Sequence, residues 1–352
     1  MNEQLILMTK RLFREPGSRK RPGVRRSSGA VERLTAFGKL QRAGAVQNAL
    51  ALMLIASLII AARPVQAQWE QLPPLPEPNG GFVATTVDGK IEVRGGTNWS
   101  GGEKNWLKFV RQYSPASQKW SALPDLKSPL AYGISIGGKG HVLDFGGTDG
   151  SRPLRVFGAP SELVLACGGV RDFNQLVFAG GTNDPSNLLG LCRRTWSHNG
   201  KSGFKQLADY PGKPFGLAGS EMVGEELFVF GGMNYDKVNK AAVNTAEAYA
   251  FSPEKNVWRK LASLAAPTRG LTAVTLDDGH IYIAGGYRDD FTAEAVIYDV
   301  KADSYRKAIP LPYAAMVGLV KMGEHVYCLG GEDKKQSRTD KFFRIPVAEL
   351  LK

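Results

Sequence analysis

Short apolar runs that end in a Gly-Gly pair recur along the chain, and residues 215–261 show the pattern in full. There the apolar run ends at Gly231-Gly232 and is followed by a polar loop, Tyr249 and Trp258. Runs of this kind, rich in β-branched and aromatic residues and bounded by Gly, Pro or Asn, are typical of β-strands. One unit therefore predicts about four short antiparallel strands, the content of one propeller blade.

The Gly-Gly pair occurs six times in the same register, at intervals of 34 to 54 residues. Glycines at a strand end permit positive φ and close backbone approach, which a crowded propeller centre requires. The pairs lie at Gly95-Gly96, Gly146-Gly147, Gly180-Gly181, Gly231-Gly232, Gly285-Gly286 and Gly330-Gly331.

A second repeating feature is an aromatic pair seven residues apart, as in Tyr113 and Trp120. Such side chains are expected to pack between blades because they bury large apolar areas. The unit after Gly146-Gly147 lacks this pair, so its blade is predicted to be truncated. The last unit lacks it too, and the strand at Trp69 is expected to complete it. We therefore predict an all-β fold, a six-bladed propeller closed by the N-terminal strand, which would leave no free sheet edges.

The positive charge belongs to the N-terminal segment. Residues 1–67 carry 12 basic and 3 acidic residues, which leaves 33 basic and 30 acidic residues in the remainder. A nearly neutral body does not favour a nucleic-acid partner.

The N-terminal segment, residues 1–67, which we call the leader, has two parts. Residues 1–47 are Arg-rich and predicted to be disordered, and residues 48–67 resemble a signal-peptide core with a cleavage site after Ala67. The chain is thus expected to be periplasmic or secreted, with the propeller at 68–352. If the segment is not cleaved, it would serve as a membrane anchor.

Three cysteines, Cys167, Cys192 and Cys328, show no metal-binding spacing. Export would permit a disulfide between Cys167 and Cys192, and buried thiols are the alternative. His141, His280 and His325 occupy one repeat position in separate units. They should therefore be spaced apart, and the sequence predicts no metal and no cofactor.

Polar residues follow each Gly-Gly pair and others open each unit, and both sets should face one mouth of the central channel. Such a mouth suits a small-molecule sugar. The candidate substrate-binding residues are Asn98, Lys104, Asn183, Arg269 and Tyr287, and Tyr132 opens the second unit.

The repeat resembles the kelch motif over residues 68–350. Within it, Glu332, followed by five residues and Arg338-Thr339-Asp340, resembles a loop of the N-acetylneuraminate (sialic acid) mutarotases. These are exported six-bladed kelch propellers, and the loop carries their proposed catalytic glutamate. The segment 95–106 is also similar to a stretch in the cyclically permuted branch of that family. The resemblance implies catalytic roles for Glu332 and Arg338.

Interconversion of sugar anomers opens and recloses a ring, which needs one group to take the anomeric proton and another to protonate the ring oxygen. Glu332 can act as the acid/base, and Arg338 can bind a substrate carboxylate. One alternative is a non-catalytic kelch module that binds a glycan or a protein partner in the cell envelope. A third hypothesis is a copper radical oxidase, but the spacing of the histidines disfavours it.

Overall fold

The computed structural model describes residues 68–138, 140–154, 160, 163–172, 175–184, 186–198 and 203–352. The expectations for the leader, a disordered segment at 1–47 and a signal peptide at 48–67, fall outside these residues. Within them, no helix has the length and apolar character needed to cross a membrane.

The described part of the chain is built almost entirely from short antiparallel strands. In chain order they are β1 (Glu70–Gln71), β2 (Val83–Val87), β3 (Lys90–Arg94), β4 (Thr97–Ser100), β5 (Glu103–Trp106), β6 (Val110–Ser114), β7 (Lys119–Leu123), β8 (Ile134–Gly137), β9 (Val142–Phe145), β10 (Cys167–Asp172), β11 (Gln175–Ala179), β12 (Thr195–His198), β13 (Phe204–Gln206), β14 (Gly219–Val223), β15 (Glu226–Phe230), β16 (Met233–Asp236), β17 (Ala241–Asn244), β18 (Ala248–Ser252), β19 (Val257–Lys260), β20 (Thr272–Asp277), β21 (His280–Ala284), β22 (Ala295–Asp299), β23 (Ser304–Lys307), β24 (Met316–Met322), β25 (His325–Glu332) and β26 (Phe342–Pro346). A 3-10 turn at Leu188–Gly190 and a terminal helix at Val347–Leu351 complete the list of elements.

These strands form a β-propeller, as the repeat predicts. The described residues form five four-stranded sheets, with the orders β2-β3-β6-β7, β10-β11-β12-β13, β14-β15-β18-β19, β20-β21-β22-β23 and β1-β26-β25-β24. The ribbons β4-β5 and β16-β17 extend from the first and third of these.

The second unit is the exception, because among the described residues it contributes only the two-stranded sheet β8-β9. The predicted count of six blades is thus corrected to five four-stranded blades, and the second unit is short, as its sequence predicts. The missing aromatic pair explains the difference, since that pair belongs to the outer two strands elsewhere.

Neighbouring units are joined by a repeated hydrogen bond at the Gly-Gly pairs. The N–H of the second glycine donates to a carbonyl at the start of another unit over 2.7 to 2.9 Å in all six cases, including Gly331 to Asn79. At Gly96, φ is +105° and a Cβ would lie 1.9 Å from Asn79 Oδ1. The motif therefore needs glycine both for its backbone conformation and for space.

The first strands of the sheets lie side by side in the order β2, β8, β10, β14, β20 and β24, and β24 also contacts β2. The N-terminal strand β1 pairs with β26, with Glu70 opposite Arg344. This is the pairing that the incomplete last unit predicts.

The second aromatic of each pair bridges two sheets. The indole N–H of Trp120 donates to the Pro73 carbonyl at 3.1 Å, and that of Trp258 donates to the Ala208 carbonyl at 3.0 Å. Trp69 makes the same kind of bond to Pro310 at 2.8 Å. These bonds satisfy the polar end of a side chain whose rings pack in the core.

Candidate functional site

A cavity of about 1270 Å³ lies where the first strands begin, and every unit contributes to its wall. Five residues singled out from the sequence line it, namely Lys104, Asn183, Arg269, Glu332 and Arg338. The loops after the Gly-Gly pairs and the residues that open each unit thus meet in one space.

Glu332 and Arg338 form an ion pair on this wall. Glu332 is the last residue of β25, and its Oε2 lies 3.2 Å from Arg338 Nη1. The Arg338 side chain is 3% exposed, whereas that of Glu332 is 28% exposed. The carboxylate is therefore the member of the pair that a ligand in the cavity can reach.

The other donors of Arg338 are also engaged by the protein. Its Nε donates to Thr97 Oγ1 at 3.2 Å, its Nη1 to the Ser337 carbonyl at 2.6 Å, and its Nη2 to Tyr132 Oη at 3.5 Å. A guanidinium has five N–H donors, so few remain for a ligand. This arrangement holds Glu332 in place and is less suited to the carboxylate-binding role expected for Arg338.

Lys104 projects from the ribbon β4-β5 onto aromatic rings. Its Nζ donates to Tyr132 Oη at 2.9 Å and lies 4.4 Å from the centre of the Trp106 ring. The rings of Trp106 and Tyr132 meet edge to face at 6.0 Å. A cation held over aromatic faces is stabilised by the ring quadrupole, so the ammonium is fixed beside the phenol.

Arg269 is placed by a different set of contacts. Its Nη1 donates to Asn244 Oδ1 at 3.0 Å, and its guanidinium lies 4.5 Å from the centre of the Tyr287 ring. Within the described residues, Nε and Nη2 have no hydrogen-bond partner. These donors are available to an anion in the cavity.

Asn98 and Tyr287 do not line the cavity, which corrects their expected placement. Successive side chains of a strand point to opposite faces, and Asn98 therefore lies on the other face of β4 from Thr97. It accepts a hydrogen bond from Asn105 at 3.1 Å across the ribbon. Tyr287 supports Arg269 from behind, and its own ring packs against Phe291 at 5.1 Å.

Within the described ranges, no group of three or more His, Cys, Asp or Glu side chains could hold a metal ion. No disulfide joins the cysteines, and Cys167 and Cys328 are buried. Burial raises the pKa of each of these two thiols to about 12. They behave as small apolar residues of the core, the second of the two alternatives left open above.

The sequence did not indicate the parts played by Tyr132 and Trp106. Tyr132 was recognised only as a unit-opening residue, and Trp106 only within a family-like stretch. The sequence does contain one signal. Among the residues that open the units, only Tyr132 is aromatic and carries a hydroxyl group. The contact between Lys104 and Tyr132 joins two loops 28 residues apart, which no local pattern reports.

The sequence resembles a known motif and two known proteins. Residues 214–265 match the model of the Kelch motif. Over 89 residues the chain is 35% identical to the N-acetylneuraminate epimerase of Yersinia pestis (strain Pestoides F), a match covering 24% of this chain and 22% of the relative. Over 273 residues it is 26% identical to Kelch-like protein 35 of Mus musculus, covering 72% of this chain and 43% of that protein.

The fold has a counterpart among solved structures. The structure of YjhT superposes with a TM-score of 0.61 at 12% sequence identity, covering 77% of this chain and 95% of the other. This chain spans less than half the length of the curated relatives that it matches. The protein is therefore a β-propeller that carries a Kelch motif at residues 214–265 and resembles the N-acetylneuraminate epimerases over part of its length.

Proposed function

We propose that this protein is a sugar mutarotase or epimerase that acts on the anomeric centre of a sialic-acid-type sugar. The observation that carries the proposal is the half-buried Glu332 carboxylate, held by Arg338 at 3.2 Å on the wall of a cavity that Lys104 and Arg269 also line. The partial likeness to N-acetylneuraminate epimerase adds support.

Each residue has a distinct part in the proposed reaction. Glu332 takes the proton of the anomeric hydroxyl as the ring opens and returns a proton as it recloses. Arg338 orients Glu332. Arg269, whose Nε and Nη2 face no protein partner among the described residues, binds the substrate carboxylate by charge-assisted hydrogen bonds.

The propeller is proposed to be a closed ring of six units, one of them short, with the N-terminal strand as part of the last blade. The pairing of β1 with β26 and the hydrogen bond from Gly331 to Asn79 support this. We also propose that the protein is exported, on the character of residues 48–67.

The test is proton NMR of freshly dissolved α-N-acetylneuraminate with and without the purified protein. We expect faster approach to the anomeric equilibrium, and a loss of about a hundredfold or more in Glu332→Gln, the usual size of a general acid/base contribution. Glu254→Gln, at an exposed turn, is the matched control. No acceleration by the wild-type protein would overturn the proposal.

A second candidate is a non-catalytic kelch module that binds a glycan or a protein partner. The feature that favours it is exposed apolar surface on the ribbon β16-β17 and near it, where Val238 is 88% exposed and Leu189 is 57% exposed. One relative that covers 72% of this chain is a Kelch-like protein. A wild-type protein that binds sialic acid without changing the anomerisation rate would favour this candidate.

A further inference from the structure

The proposed ring opening needs a second group, one that protonates the ring oxygen, and Glu332 supplies only the first. Arg338 is an unsuitable proton donor because arginine does not deprotonate in proteins. The side chain next to Arg338 in the cavity is Tyr132, whose phenol oxygen is 3.5 Å from Arg338 Nη2.

The hydrogen bonds of Tyr132 direct its proton into the cavity. A phenol oxygen accepts through its lone pairs and donates one O–H. Here it accepts from Lys104 Nζ at 2.9 Å and from Arg338 Nη2 at 3.5 Å. Both neighbours are donors only, and no described residue accepts a hydrogen bond from the O–H of Tyr132. The remaining hydrogen is thus free to reach a ligand oxygen.

The backbone of Tyr132 belongs to a belt of hydrogen bonds around the cavity. Its N–H donates to the Gly81 carbonyl at 2.8 Å, and its own carbonyl accepts from Leu165 N–H at 3.1 Å. The belt continues from Leu217 to Leu165 and from Gly270 to Leu217. Tyr132, Leu165 and Leu217 all have positive φ, so this conformation is a property of the repeat.

What distinguishes the second unit is the side chain at this belt position. The other belt residues are glycine or leucine, and Tyr132 alone among them carries a polar group. Its ring is fixed by Trp106 at 6.0 Å and passes close to Gly81, where a Cβ would lie 2.6 Å from Tyr132 Cε1. The hydroxyl is therefore rigidly placed.

We propose that Tyr132 is the acid that protonates the ring oxygen, with Lys104 as its positioning residue, an inference that rests on the proposed function. As Glu332 takes the anomeric proton, the carbonyl forms, the bond from the anomeric carbon to the ring oxygen breaks, and Tyr132 transfers its proton to that oxygen. On reclosure the phenolate takes this proton back while the hydroxyl attacks the carbonyl, and Glu332 returns its proton. Lys104 and Arg338 stabilise the phenolate by Coulomb attraction.

The test compares Tyr132→Phe with the wild type in the α-N-acetylneuraminate assay. Phe keeps the ring and its packing, so we expect an unchanged melting temperature, a loss of kcat of about a hundredfold or more, and a KM within about threefold. Tyr235→Phe, a hydroxyl deletion on β16 outside the cavity, should keep full activity. Lys104→Met should lower kcat and shift the alkaline limb of the kcat–pH profile, which a purely structural role would leave in place.

Two failures can be told apart. A wild-type protein without acceleration overturns the proposed function and this role together. A wild-type protein that accelerates the reaction while Tyr132→Phe keeps its kcat overturns the role of Tyr132 alone. If Tyr132→Phe melts early, binding of the sugar by ligand-observed NMR at a temperature where the variant is folded decides the matter: intact binding with kcat lost supports the role, and lost binding contradicts it.

Discussion

Arg338 Nη1 lies 3.2 Å from Glu332 Oε2, and the same guanidinium also contacts Thr97, the Ser337 carbonyl and Tyr132. The ion pair is thus one contact of a side chain that ties the loop after β25 to two other units. Gly80 makes this possible, because a Cβ there would lie 2.4 Å from Arg338 Cδ.

Arg338→Lys should lower kcat by about tenfold or more, because a lysine cannot reproduce a fork of several fixed hydrogen bonds. Steady-state kinetics in the anomerisation assay measures this. Arg344→Lys is the matched control, since Arg344 pairs with Glu70 at 2.6 Å on the outer strands. A variant with wild-type kcat would show that the guanidinium does not position Glu332.

Arg269→Met should raise KM by about tenfold or more with kcat changed less than threefold, because a hydrogen bond to a charged group contributes about 1.5–3 kcal/mol. The methyl ester of the sugar separates charge recognition from other effects. The wild type should prefer the free acid, and Arg269→Met should lose that preference. An unchanged preference would remove Arg269 from the proposed carboxylate site.

Glu221 on β14 should make stability depend on pH. Burial raises its pKa from 4.5 to about 7, opposed by hydrogen bonds from backbone N–H groups and by the charge of Lys321. Between these two values the folded state binds more protons than the unfolded chain, so the free energy of unfolding falls as pH rises. Glu221→Gln should therefore be more stable than the wild type by about 3 kcal/mol at pH 8 and nearly equal to it at pH 4. Urea denaturation at both pH values measures this, and a constant difference would contradict it.

Arg94 and Asp144 form a charged pair between the first sheet and β9, at 2.8 Å. Residues at the corresponding positions of the last four units are apolar. Asp144→Leu alone should cost about 2–3 kcal/mol, because it leaves a largely buried guanidinium poorly paired. Adding Arg94→Leu should recover most of that loss, and a double-mutant cycle in urea measures the coupling. Additive losses would show that the two charges act independently.

Trp69→Ala should loosen the N-terminal strand selectively. It removes the hydrogen bond to Pro310 and the packing against Tyr282, together worth about 2–3 kcal/mol. Limited proteolysis should then release the first residues of the propeller before the rest is cut. Trp258→Ala, in the middle of the chain, should destabilise the fold without that early cleavage. Equal patterns in the two variants would argue against closure by β1.

The repeat in the sequence is sufficient to predict most of the fold. Each unit specifies its own strands through local apolar runs and its own strand ends through Gly-Gly pairs, and copies in register must pack in the same way. The truncation of the second unit was also predictable, because its sequence lacks the aromatic pair. In the third unit, Phe204 is the second aromatic of the pair and packs against Phe145 of β9, with the ring centres 6.2 Å apart. Unlike Trp120 and Trp258, it has no N–H to donate to a carbonyl.

The candidate site was predictable only in part. Five of the seven residues named from the sequence line the cavity, whereas Asn98 and Tyr287 do not. Residue type and loop position follow from the sequence. Which face of a two-stranded ribbon meets the cavity follows from its register with neighbouring units.

The sequence by itself therefore determined a propeller of repeated units and the loops that surround one mouth, because both depend on short-range pattern. Only the tertiary structure decided that Tyr132 lies between Lys104 and Arg338, and that Arg338 is occupied by the protein while Arg269 is open to a ligand. These relationships join residues up to 241 positions apart. They depend on the angle at which rigid units meet, which no local run of residues encodes.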